Sequence, residues 1–155
     1  MRKALALVLS LGLTAIWTAP AAAAPTRVDY VAQADPICLA TAQSESTIAA
    51  AAVTDVNKGR FKAAAHELRR AGHVFGGGVD QLAALERPPA DAPLLGAWID
   101  SLRAQLPILR RFARALNRTQ VKRIRQTARR LILAEEKTSA LVDDYGFAFC
   151  GEFGA

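Results

Sequence analysis

Three sets of side chains in this sequence are typed and spaced so that they could do chemistry: a cysteine pair, a histidine pair and a dense run of bases. The cysteines are Cys38 and Cys150, and no CxxC occurs. A thioredoxin-type centre needs two thiols two residues apart, and zinc needs further ligands at short spacing, so neither has support. An even pair in an oxidising compartment reads instead as one structural disulfide. It would close a loop of just over a hundred residues, for which chain entropy gives about 4.7 kcal/mol as an upper guide.

The histidines stand in "HELRRAGH", where His66 and His73 lie two turns apart on one helix face. Position 70 is Arg, so this is not HExxH, and zinc or haem would need a third ligand or a pocket. Two solvent-facing histidines are expected, and no metal site. The basic run is the stronger lead. Between Ser101 and Ala134 there is no acidic residue. The segment carries Arg103, Arg110, Arg111, Arg114 and Arg118, then Lys122, Arg123, Arg125, Arg129 and Arg130. Such a surface attracts phospholipid headgroups, anionic wall polymers or nucleic acid. Only Phe112 interleaves with these bases, so the aromatic platform of a single-strand binder is missing and nucleic acid is not expected. The competing reading is a solvated face in a chain where Arg outnumbers Lys 15 to 5.

Three weaker features remain. "FGGGV" puts Gly76, Gly77 and Gly78 inside a helical pattern, each costing about 1 kcal/mol against Ala. They imply a local break or a close helix approach, or a ligand pocket shared with Phe147 and Phe149 of the aromatic tail. Glu45 and Glu135 fall near apolar stripes; turned inward they would meet as a carboxylate pair, although edge positions are the expectation. Thr138 stands where a di-metal bundle would have His, and no Ser-His-Asp or Cys-His set occurs, so no catalytic residue and no cofactor is assigned.

The elements that must position these groups follow from periodicity. Residues 1–23 have a basic start, an apolar stretch and an A-x-A ending, which is the layout of a cleaved signal peptide; 24–155 then form one domain. The same apolar length would also suit a retained anchor. Leu95, Leu102, Leu109 and Leu116, interleaved with Ile99, Leu106 and Ala113, mark one helix. Phe61, Leu68, Phe75 and Leu82 mark another, and Val121 to Tyr145 a third. Val28 to about Val56 is weaker and alanine-rich, and it runs through Pro36 with a bend unless Asp35 caps it there. Asp91 and Thr119 are expected N-caps, Gly146 a C-cap, and Trp98 a core residue. Short connections and no strand-like alternation predict an all-α, antiparallel up-down four-helix bundle. In that topology Cys38 and Cys150 share one end, and the tail covers it as a lid and staple.

"YVAQADPIC", the proline-rich middle leading to Trp98, and "YGFAFCG" together resemble a large, poorly characterised family of exported helical proteins from high-GC Gram-positive bacteria. Its members pair an AD-x-IC start with a GF-x-x-CG end; Pro36 departs from the alanine expected there. The resemblance implies the bundle and the Cys38–Cys150 staple and carries no catalytic residue. The sequence therefore predicts a secreted or envelope-associated, non-enzymatic module, monomeric or weakly oligomeric, whose partner is an anionic lipid or wall polymer. The alternative is a carrier of a small apolar ligand or haem in the bundle core.

Overall fold

The computed structural model describes residues 23–152, so all but the last residue of the expected signal segment lies outside them. Four helices follow in order: α1 Arg27–Asn57, α2 Phe61–Ala84, α3 Ala92–Asn117 and α4 Val121–Ala140, with a 3-10 turn at Cys150–Glu152. Consecutive helices pack antiparallel, and no strand occurs among the described residues. No described helix is long and apolar enough to cross a membrane.

The α1 start is fixed by a capping box. The Thr26 hydroxyl accepts from the Asp29 N–H, and the Asp29 carboxylate accepts from the Thr26 N–H. The helix then runs unbroken through Pro36, so Asp35 is not its cap. Its buried row is Tyr30, Ala34, Cys38, Thr41 and Ile48, whereas Val28 is 76% exposed. In α3 the two predicted rows form the core as expected, with Leu95, Trp98, Ile99 and Leu102 fully buried.

Three expected caps differ in detail. Asp91 holds the N-cap position of α3, but its side chain does not cap the helix. Thr119 sits one residue before the α4 N-cap, Gln120, with φ +53, a costly conformation for a β-branched residue. And α4 stops at Ala140, five residues short of the periodic pattern; Val142 and Tyr145 are buried from a run of turns, and Gly146 takes φ +97 after them.

The disulfide Cys38–Cys150 is formed, with Cα atoms 5.2 Å apart. Around it the tail is tied to the helix starts. The Asp35 carboxylate accepts the backbone N–H groups of Ala148, Phe149 and Cys150 at 2.9–3.2 Å. Asp91 receives both Arg27 nitrogens (3.0 and 2.6 Å) and the Tyr145 hydroxyl (3.0 Å), joining α1, α3 and the tail. The Arg27 hydrogen bond, helped by that of Tyr145, holds the Asp91 carboxyl below its ordinary range against the opposing pull of burial. Phe147 stacks on Trp98 at 5.3 Å and leans on Tyr145 at 4.8 Å and Tyr30 at 6.2 Å. This aromatic cluster fills the space between the helices at what we call the staple end.

The bundle is not closed all the way round. No Cα of α4 lies within 8 Å of one in α1 among the described residues, although each packs on its chain neighbour. Alanine on the inner face of α1 brings too little volume to fill this seam, and only at the staple end does the tail make up the deficit. Between α3 and α4, by contrast, Ser101, Gln105 and Thr138 form a polar clasp, with Gln105 donating to the Thr138 hydroxyl at 3.0 Å and Ser101 2.7 Å from it.

Candidate functional site

The α1–α2 and α3–α4 turns lie together at the end opposite the disulfide, the turn end. There the topology gathers charge that is spread along the sequence. Residues 42–72 and 105–130, the half of the bundle toward these turns, carry 14 Lys+Arg and 3 Asp+Glu. Residues 23–41, 73–104 and 131–152, the half toward the staple, carry 4 and 11. The chain is thus polarised along its long axis.

The ten predicted bases are all exposed, but they do not form one surface. Arg111 and Arg114 of α3 and Arg118, its C-cap residue, face Arg123 and Arg130 of α4 across a groove of about 310 Å³, floored by Ala115 and Thr127. Lys122, Arg125 and Arg129 line a second face of α4. Arg110 turns toward α2, beside Arg69 and His73. Arg103 stands apart in the staple half, near Asp80 at 4.0 Å and Asp100 at 3.8 Å. The other nine have no acidic partner among the described residues. Five guanidiniums converging without counter-charge can bind phosphate or carboxylate oxygens through paired N–H donors.

Beside these bases, where the seam is open, lies an apolar groove of about 340 Å³. Ala49, Ala52, Val53 and Val56 form one wall from α1; Phe61 and Leu68 of α2, Phe112 and Leu116 of α3 and Ile124 of α4 form the rest. Every one of these side chains is apolar. The sequence reading missed this site. Its trace is in the periodic rows themselves: Phe75 and Leu82 are buried, while Phe61 and Leu68, the same row one and two turn-pairs earlier, remain partly exposed.

Farther along the seam Glu45 and Glu135 do turn inward and are half-buried, against the expectation of edge positions. Burial, and secondarily the charge of Glu135, push the Glu45 carboxyl up to about 7; burial raises Glu135 as well. Two carboxylates alone do not make a metal centre, and no cluster of three metal-ligating side chains occurs among the described residues.

The remaining candidates are placed as follows. His66 and His73 are exposed, as expected. The glycines do not break α2: Gly76 faces Leu106, whose side chain lies 3.5 Å from where a Cβ would be. Gly77 and Gly78 line an open groove against Pro36, Ile37 and Thr41, and no tail residue shares it. Phe147 is instead packed on Trp98, and Phe149 is 46% exposed, so the expected pocket of glycines and tail phenylalanines is not assembled. No protein-family model, no curated protein and no solved structure matches the chain.

Proposed function

We propose that this chain is a non-enzymatic, extracytoplasmic helical module that docks by its turn end on an anionic envelope surface, lipid or wall polymer. The observation that carries this reading is the axial charge segregation, 14 bases to 3 acids at one end and 4 to 11 at the other. A molecule so polarised turns its basic end toward a negative surface while its acidic end is repelled, so encounter and orientation come from one field. The Cys38–Cys150 bond is compatible with an oxidising compartment. Export, and kinship with the exported disulfide-stapled family that the motifs resemble, belong to the same proposal.

The test is co-sedimentation of the mature chain with phosphatidylglycerol vesicles and with purified wall polymer across a salt series. Binding is expected at low salt and falls as the screening length shrinks below ~8 Å. Replacing Arg110, Arg111, Arg114 and Lys122 by Gln should weaken low-salt binding at least tenfold, given ~1 kcal/mol per base near an anionic surface. Unchanged binding in that variant would overturn the reading.

A further inference from the structure

The basic end and the apolar groove are neighbours, and no single feature of a wall polymer or a bare phosphate explains both. A groove whose lining offers no hydrogen-bonding side chain can accept only the hydrocarbon part of a ligand, because a buried polar group there would lose its water partners without replacement. Its volume of about 340 Å³ is near the lower bound of small-molecule sites, ~300–1,000 Å³. What surrounds it decides the rest of the ligand. At the turn end lie the unpaired arginines; toward the middle of the seam lie Glu45 and Glu135. An anionic group is drawn to the first and repelled by the second, so an amphiphile has one favourable orientation, head toward the turns and chain in the groove.

We propose that this groove takes one acyl chain of an anionic phospholipid whose headgroup rests on the cations of the turn end. The inference rests on the surface-docking reading above and names its lipid and its mode of insertion. The exposed Val53 and Val121, 59% and 54% accessible on α1 and α4, then border a surface that meets hydrocarbon rather than water. A second copy of the chain is disfavoured as occupant, since pairing two such grooves brings two ends of 14 bases and 3 acids together.

The experiment compares the wild-type chain with a groove-filled variant, Ala49→Leu with Ala52→Leu, which keeps helix propensity and every charge. Circular dichroism first checks that the two are equally helical. On phosphatidylglycerol vesicles both should bind at low salt, but above about 0.5 M salt, where screening leaves only a few ångströms of electrostatic reach, the wild type should stay bound at least fivefold more tightly. A Phe112→Trp reporter should lose most of its emission on phosphatidylglycerol with brominated acyl chains and keep it on bromine-free vesicles. Superimposable salt curves together with an unquenched reporter overturn the groove and leave surface docking intact. Absence of low-salt binding by either chain overturns surface docking. In that event native mass spectrometry with dodecyl phosphate below its aggregation concentration decides the groove: a one-to-one complex lost in the filled variant supports it, and no complex overturns it. Sedimentation showing a dimer that the filled variant abolishes would assign the groove to a second copy and overturn the proposal.

Discussion

The seam between α1 and α4 ends in two different ways. At the staple end Tyr30, Trp98, Tyr145 and Phe147 close it, and the disulfide and the Asp35 carboxylate hold the tail that delivers two of those rings. At the turn end the rings available are Phe61 and Phe112, both only partly buried, and the facing side chains of α1 are Ala49, Ala52 and two valines. The same seam is thus filled by the tail at one end and left as a groove at the other. An alanine-rich helix supplies α-helical propensity without volume, so whether the seam is core or groove depends on what a third segment brings to it. Charge follows the division: the packed end ties Asp35 and Asp91 to backbone N–H groups, Arg27 and Tyr145. The grooved end pairs Arg60 with Asp55 and Arg70 with Glu67 but leaves the five arginines of the α3–α4 groove without an acidic partner among the described residues.

The largest effect that tests this contrast is loss of the staple. Reduction, or Cys150→Ala, should lower stability by about 3–5 kcal/mol, since it frees a loop spanning 112 residues. Denaturant titration with and without reductant measures it. Hydrogen exchange sharpens it: the C-terminal half of α4 should lose protection first. An unchanged denaturation midpoint would mean that the tail does not close the seam. Next in size is a pair of aromatic truncations. Phe147→Ala removes a ring stacked on buried Trp98 and should cost about 2–3 kcal/mol. Phe112→Ala should cost about 1 kcal/mol, because its ring borders a groove and part of its surface already meets water. Equal losses at the two sites would erase the distinction between core and groove.

Much of the packed end was legible in the sequence. The leucine rows of α3, the cysteine pair and the aromatic tail each carry a local signal, and the topology that joins them follows from short turns. What was not legible is how side chains are shared between elements. Asp91 reads as a helix cap, but Arg27 and Tyr145 claim its carboxylate, and neither is near it in sequence. Likewise the pattern through Val142 and Tyr145 continues past the end of α4 because turns, as well as helices, can bury every third residue. The groove was hidden for a different reason: periodicity reports which side of a helix is apolar and says nothing about whether the opposing volume suffices. The base run was visible; its split into separate faces, and the loss of Arg103 to Asp80 and Asp100, required the fold.

The last of these effects is a gain rather than a loss, and it probes the middle of the seam, where core gives way to groove. Glu45 there has its carboxyl raised from 4.5 to about 7. Below pH 4.5 the folded and unfolded chains both hold the proton, so its stability contribution is at its most favourable. Between pH 4.5 and 7 the unfolded chain releases the proton while the folded chain keeps it, and stability falls as pH rises; above 7 the loss is complete. Glu45→Gln should therefore leave stability unchanged at pH 4, flatten the decline across that window, and gain about 1–2 kcal/mol at pH 8. That range is below the full conversion of the shift because the carboxyl is partly exposed and screened. Denaturant midpoints at three pH values measure the gain. Glu135→Gln separates the two causes. If burial dominates, the Glu45 carboxyl resonance still titrates well above its ordinary range in that variant. Were it to return to the ordinary value, the seam at this depth would be wet, and the groove would extend past Glu45 toward the staple.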